Sequence, residues 1–344
     1  MQTITHLNFA KGFRGGERQT LLLIESLAKK GYRQTLVTRK NAMLSQKASK
    51  IKNLTIISIS KPYFLSTPKI KKSDIIHAHE TKAAHFACFA HLMYKIPYIV
   101  TRRIDQTIRA SFLNKKVYLH SKKTVALSSV IQEKIEALNS HINTAIIPDA
   151  LSHLATNQKN SDTISQRFKD KFLIGHIGEL DNEDKGQYYL IEVAKKLQNS
   201  HPDIHFLLLG KGIDEQIFKK QAQNLNNITF EGYVNNVGDY ISNFNLFIFP
   251  SLREGLGSIL LDIMAFSIPI IATKVGGIPD IIYHDKNGLL IPPHDCDALE
   301  KAILKLYKDK DLASRLSKKA KEDSTMYTAE KMRERYITLY EEHS

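Results

Sequence analysis

The chain reads as two successive doubly wound α/β domains, and three features predict this. Short β-branched strands alternate with amphipathic helices, the alternation lapses once into polar sequence near the middle, and it then starts again. The first run opens with a strand at Thr3–Phe9 and a helix over Glu17–Lys30. Leu21, Leu22, Ile24, Leu27 and Ala28 form that helix's apolar stripe, and Gly31 stops it. Further strands are predicted at Gln34–Thr38, Thr55–Ile59, Asp74–His79, Tyr98–Thr101, Thr124–Ser128 and Thr144–Ile147. Ser, Asn, Thr and Gln then dominate residues 151–169, which read as a linker. The second run has strands at Phe172–Ile177, His205–Leu209, Ile228–Phe230, Leu246–Phe249, Pro269–Thr273 and Gly288–Ile291. Its helices are expected at Gln187–Gln198, Ile213–Leu225, Gly257–Phe266 and Asp297–Lys308, with an amphipathic tail at Ala329–Tyr340. The expected division is residues 1–165, residues 166–325, and a terminal helix in 326–344 that packs back on the first domain. Ligands of such sheets bind at the carboxyl ends of the strands.

Composition excludes several classes. At 344 residues the chain exceeds the roughly 250–300 at which a single core stops growing. A hydrophobic share of 42% with 24% charged residues argues against disorder. Cys88 and Cys296 are the only cysteines, too few for a disulfide framework and suited to a reducing cytosol. No apolar run reaches the roughly 18 residues of a membrane span, and the opening residues read as a strand rather than a signal peptide. A soluble cytoplasmic protein is expected. Charge is lopsided: residues 1–150 hold 25 Lys and Arg against 8 Asp and Glu, a balance of +17, whereas residues 151–344 hold 24 against 27, a balance of −3. One half is therefore expected to face something anionic: a nucleic acid, a membrane surface or a phosphorylated substrate.

The most informative segment runs from Phe249 to Thr273. A strand ends at Pro250, a glycine-containing loop follows, and a helix is expected from near Leu256, which aims helix-start amides at whatever occupies the strand ends. Glu254 precedes that helix and suits hydroxyls beside a phosphate better than the phosphate itself. Asp262, eight residues on, falls two turns along on a similar face. Two carboxylates flanking helix-start amides fit a ligand with phosphate in the middle and hydroxylated rings at both ends, the shape of a nucleotide-sugar. The plainer alternative makes Glu254 a helix-start charge and Asp262 a solvated residue.

This segment closely resembles the donor-site signature of family 4 retaining glycosyltransferases of the GT-B fold, in particular the bacterial surface-polysaccharide and lipopolysaccharide type. Other motifs follow in the family's order: Gly15-Gly16-Glu17-Arg18, Asp74–His79, Ile177-Gly178 with Lys185-Gly186, Leu209–Gly212, Phe230–Val234, Gly276–Asp280 and Gly288–Pro292. The resemblance implies two Rossmann-like domains facing each other across a cleft and transfer of a sugar from a nucleotide-sugar to a hydroxyl of a glycan or glycolipid. It also implies retention at the anomeric carbon and no metal or other cofactor. Glu254 would hold the donor sugar and Asp262 the ribose. Lys185 and the amides of Leu256, Gly257 and Ser258 would meet the pyrophosphate, and Gly15 and Gly16 would form a loop closing on it. Gly178 would belong to the donor site, and Gly210, Gly212, Tyr233 and Val234 would line the base and ribose pocket. The acceptor partner is expected to be anionic or lipid-linked, met at the inner leaflet of an anionic membrane, with no nucleic acid involved.

Three departures from the family pattern bear on the site. Asp262 stands where Glu is usual, shortening the reach by about 1.5 Å. Gly178-Glu179-Leu180 replaces Gly-Arg-Leu, so Glu179 is expected to turn outward or Lys185 to carry more of the load. The strand that often ends Thr-x-His ends here Thr101-Arg102-Arg103, so Arg103 is expected to take a phosphate or acidic acceptor, oriented by Asp105. His79, at a strand end, is a further candidate for the site. His77, His79, His85 and His91 lack a completing ligand set, and the first pair is read as facing opposite sides of its strand. Other readings stay open at this point. A nucleotide-sugar epimerase or a phosphorylase would need acid/base residues or a cofactor lysine, and a nucleic-acid binder would want aromatics among its lysines. An inactive scaffold is the remaining alternative.

Overall fold

The computed structural model describes residues 2–342; Met1, His343 and Ser344, at the limits of the expected first domain and tail, lie outside them. Each run of strands forms its own sheet. The first contains β1 (Thr3–Asn8), β2 (Arg33–Arg39), β3 (Leu54–Ile59), β4 (Ile75–Ala78), β5 (Tyr98–Arg102), β6 (Lys123–Ala126) and β7 (Thr144–Ile146), in the order β3-β2-β1-β4-β5-β6-β7. The second contains β8 (Phe172–Ile177), β9 (Ile204–Leu209), β10 (Ile228–Gly232), β11 (Leu246–Phe249), β12 (Ile270–Thr273) and β13 (Leu289–Ile291), in the order β10-β9-β8-β11-β12-β13. The ladders are parallel, as helices between successive strands require. Strands such as β11, buried at every position, read as unbroken apolar runs because helices cover both faces.

In each sheet the chain steps outward from its first strand and then returns to that strand's other side. The reversals fall between β1 and β4 and between β8 and β11. At such a point the two neighbouring loops leave in opposite directions, opening a crevice above the strand ends.

The chain divides into one unit ending at Ser152 and resuming at Tyr327, and a second unit from His153 to Met326. The change-over therefore falls before residue 165, because most of the polar stretch read as a linker is structured. Helix Gln158–Arg167 is capped by the Asn157 side chain and buries Ser161 and Ile164. Asp239, also in the second unit, accepts from the Asn157 amide at 2.6 Å and from Asn160 Nδ2 at 3.1 Å. Polar composition hides this helix, and it also hides Lys310–Ser324, which has a narrow buried stripe including Leu316 and Ala320. The helix expected over Ile213–Leu225 is confined to Glu215–Gln221.

The tail helix, Ala329–Glu341, lies on the first unit. Met332, Tyr336, Leu339 and Tyr340 share a core with Ile4, Leu23, Leu27, Ile75, Ile99 and Val125. Its tyrosines reach the sheet through polar contacts: Tyr340 Oη is 2.7 Å from His77 Nδ1, His77 Nε2 is 2.7 Å from Thr101 Oγ1, and Thr101 Oγ1 is 2.9 Å from Tyr336 Oη. His77 and His79 do not face opposite sides, contrary to expectation; their rings lie 3.9 Å apart, since residues two apart on a strand share a face. Removing the Tyr340 hydroxyl leaves a buried imidazole nitrogen without its partner. Tyr340→Phe should lower unfolding free energy by about 1–3 kcal/mol, read as a shifted urea midpoint at constant m-value.

Candidate functional site

At the β8/β11 reversal the loops following the two strands converge. Lys185 comes from the loop after β8 and Glu254 from the loop after β11; Lys185 Nζ donates to Glu254 Oε2 at 2.6 Å, with both side chains mostly but not wholly covered. The two loops are bound at several other points. Asp184 O accepts from the amides of Leu252 at 2.8 Å and Arg253 at 3.2 Å, and the Asp184 carboxylate takes Arg253 Nε at 2.6 Å. The Glu254 carbonyl accepts from Gly277 N at 3.1 Å, which brings the Gly276–Asp280 segment alongside. The Lys–Glu pair therefore sits on a braced platform.

Helix Ser258–Ala265 starts beside this pair, one residue past the expected Gly257, because Gly257 is its N-cap with φ +83°. That left-handed conformation is what glycine adopts without strain, and an N-cap glycine brings no side chain to cover the first-turn amides. Leu256 and Gly257 are buried and Ser258 is half-buried. Asp262 is 3% exposed, so it is not the solvated residue of the plainer alternative.

The loops after β8, β9 and β10 are laced together. Gly178 N donates to Leu209 O at 3.0 Å, Leu180 N to Lys211 O at 3.2 Å and Gly210 N to Gly232 O at 2.8 Å. Gly210 has φ +140°, and a Cβ placed on it would lie 1.8 Å from Gly178 O. Gly212 is packed likewise against the Leu180 carbonyl. Tyr233, just past β10, is 67% exposed and Val234 half-buried. Glu179 is exposed.

Sequence reasoning misses His176, on β8 beside this platform. Its Nδ1 donates to Ile248 O at 3.0 Å, which leaves Nε2 to accept from Gln187 Nε2 at 3.1 Å; Gln187 Nε2 also reaches Glu179 O at 2.8 Å. Burial, reinforced by the Lys185 charge, lowers its pKa to about 4 despite the Ile248 bond, so the ring is neutral. A histidine inside an apolar strand is the available signal.

At the β1/β4 reversal of the first unit, helix Gly15–Lys29 begins at Gly15 itself, with the Glu17 carboxylate accepting from Arg14 N at 2.9 Å. Gly16 packs against Arg103, since a Cβ there would stand 3.3 Å from Arg103 Cδ. Arg103 is oriented by Asp149, not Asp105: Arg103 Nη1 is paired with the buried Asp149 carboxylate, while Asp105 is paired with Lys134. Adjacency in sequence suggests Asp105, but the partner comes from the segment beyond β7. Gln19 fixes that segment by bonding both the carbonyl and the amide of Ala150, at 2.6 and 2.9 Å.

His79 closes this group. Gln34 Nε2 donates to Ile24 O, so Gln34 Oε1 accepts from His6 Nε2; His6 Nδ1 then accepts from His79 Nε2 at 3.0 Å. The neutral ring of His79 is left with a lone pair on Nδ1, a buried atom with no partner among the described residues. Burial first, then His77, His6 and Arg103, hold its pKa well below the usual histidine range. Nitrogens of His6, His77 and His79 lie within 4.8 Å of one another, a spacing that would suit a metal ion. Five of the six ring nitrogens are already engaged in hydrogen bonds, so the three rings are organised as a polar network.

Residues 157–323 match the family described as glycosyl transferases group 1. The chain is 24% identical over 354 residues to the lipopolysaccharide core biosynthesis glycosyltransferase LpsE of Rhizobium meliloti, covering 98% of each. It is 29% identical over 161 residues to the capsular polysaccharide biosynthesis glycosyltransferase CapM of Staphylococcus aureus, a match of 45% of this chain and 42% of that protein. Anabaena HepE in complex with UDP and glucose superposes with a TM-score of 0.85 at 16% identity over 98% of both chains. A Rickettsia africae glycosyltransferase gives 0.87 at 20% identity, covering 99% of this chain and 98% of that one.

His6 and His176 are both held neutral, with pKa lowered to about 4 from the ordinary 6.5. Between those values the unfolded chain binds more protons, so stability is lost as pH falls from about 6.5 toward 4. His176→Asn should flatten that acid limb, measured as the urea midpoint against pH.

Proposed function

We propose a donor, an acceptor class and a stereochemical course for this chain, which is a glycosyltransferase with a group 1 domain at residues 157–323 on a GT-B fold. The donor is a nucleoside diphosphate sugar, the acceptor a hydroxyl of a glycan or glycolipid, and the anomeric configuration is retained. The observation that carries the reading is the Lys185–Glu254 pair at the β8/β11 reversal, beside a helix capped by glycine. A cation and helix-start amides at one strand end form an anion site, and the neighbouring carboxylate suits sugar hydroxyls.

On this reading the difficult event is departure of the nucleoside diphosphate with its growing negative charge. Lys185 and the amides around Gly257 and Ser258 stabilise that charge without having to reorganise, which is electrostatic preorganisation. Glu254 orients the sugar, Asp262 accepts from ribose hydroxyls, and the loops at Gly178, Gly210, Gly212, Tyr233 and Val234 border the nucleoside. No metal is assigned a part, because lysine and amides supply the positive field. In the first unit Arg103, fixed by Asp149, and His79, with its bare Nδ1, stand at the equivalent crevice with Gly15 and Gly16 and are assigned to the reacting groups. The lipopolysaccharide and capsule roles of the relatives, and the +17 balance of residues 1–150, support an anionic, lipid-linked acceptor. The same charge supports a protein working in the cytoplasm against the inner leaflet.

The UDP bound by HepE makes uridine the first base to try. Uridine, guanosine and adenosine diphosphates are compared by thermal shift; one should raise the melting temperature, and no shift with any would end the donor reading. Lys185→Ala and Glu254→Gln should each lower kcat by about 10²–10³ while leaving circular dichroism unchanged. Normal turnover in either variant would contradict its assigned role.

A further inference from the structure

The first unit carries an apolar face that its own fold leaves uncovered. Helix Thr81–Tyr94 buries Ala83, Ala84, Phe86, Ala87 and Ala90, yet its other side is apolar as well, with Phe89, Leu92 and Met93 exposed. A helix hydrophobic all round normally lies between two covering layers. The 3-10 segment Tyr63–Ile70 adds Phe64 and Leu65, with the Phe64 ring meeting Phe89 edge-on at 5.9 Å. Helix Phe112–Leu119 adds Phe112, 76% exposed, and Leu113; it is joined to Thr81–Tyr94 by His85 Nε2 and Asn114 Oδ1 at 3.1 Å. With Leu119, three adjoining segments thus present eight large apolar side chains to solvent.

The surround is basic. From Lys61 to Leu119 there are 11 Lys and Arg against three Asp and Glu. Those three acids are engaged elsewhere: Asp74 accepts from Thr3 N, Glu80 caps Thr81–Tyr94, and Asp105 pairs with Lys134. Lys69, Lys71, Lys72, Lys82 and Lys115 are exposed, and Lys116 lies over the Phe112 ring at 4.5 Å. A second copy would bring like charge against like charge. Leu65, Leu92, Met93 and Leu113 make the face largely aliphatic, and Phe64 and Phe89 meet edge-on rather than opening parallel faces to stacked bases.

We propose that this face docks the enzyme on an anionic lipid bilayer, with Leu65, Met93, Phe112 and Leu113 entering the headgroup boundary and the lysines meeting lipid phosphates. The proposal deepens the glycolipid reading by naming the surface on which such an acceptor is met. It depends on that reading for its purpose but not for its measurement.

The full chain is sedimented with vesicles of phosphatidylglycerol and phosphatidylethanolamine, and with vesicles of phosphatidylcholine alone. Binding should be strong only to the first and should weaken as salt rises. The double variant Leu65→Ser, Phe112→Ser and the triple variant Lys69→Glu, Lys71→Glu, Lys72→Glu should each bind at least about tenfold more weakly, with the nucleotide thermal shift of wild type retained. The triple variant alters only exposed positions, so it keeps the test standing if the double variant misfolds. Absence of wild-type binding, or wild-type binding in the triple variant, overturns the proposal. So does a wild-type dimer that Leu65→Ser, Phe112→Ser disperses, which would make the face an interface between copies. Vesicle binding without any nucleotide shift sinks the donor reading alone.

Discussion

The ion pair between Lys185 and Glu254 fastens together two loops that are remote in sequence. Strand order makes the meeting possible, because β8 and β11 are neighbours and the loops that leave them border one crevice. The surrounding contacts hold the pair in place: Asp184 accepts from two amides and one guanidinium of the opposite loop, and Gly277 is tied to the Glu254 carbonyl. A cation fixed in this way is available to a phosphate without first being ordered, which is where preorganised charge is most effective.

The first unit repeats the scheme with different chemistry. Its reversal lies between β1 and β4, and there Gly16, Arg103 and His79 gather, steadied by Asp149, Gln19 and the His6–Gln34 chain. Here neutral imidazoles stand beside the buried Arg103–Asp149 pair, whereas the second unit sets a more exposed ion pair beside backbone amides. On the proposed reading the second unit's crevice meets the charge of the donor, and the first unit's offers the Arg103 guanidinium beside neutral imidazoles.

Much of this is legible in the sequence, because strand and helix periods are strong signals when apolar residues mark them. β8 and β11 fall where the apolar runs place them, and the loops that follow them carry Lys185 and Glu254 at the positions the motifs indicate. The meeting of residues distant in the chain is what stays hidden. Asp149 rather than Asp105 holds Arg103 because the sheet brings the segment after β7 near the loop after β5, which spacing cannot reveal. His176 escapes notice because a single histidine in FLIGHI does not disturb an apolar pattern. Helices Gln158–Arg167 and Lys310–Ser324 are lost for a different reason: their buried stripes are too narrow to outweigh their polar surfaces.

The return of Ala329–Glu341 to the first unit has a consequence for synthesis. The second unit is continuous in sequence and has all its own strands once β13 has left the ribosome. The first unit emerges earlier, yet Met332, Tyr336, Leu339 and Tyr340 are missing from its core until they follow the whole of the second unit out of the ribosome. The half made first is therefore the half finished last, and in the interval its nascent sheet has an open apolar flank for chaperones to shield.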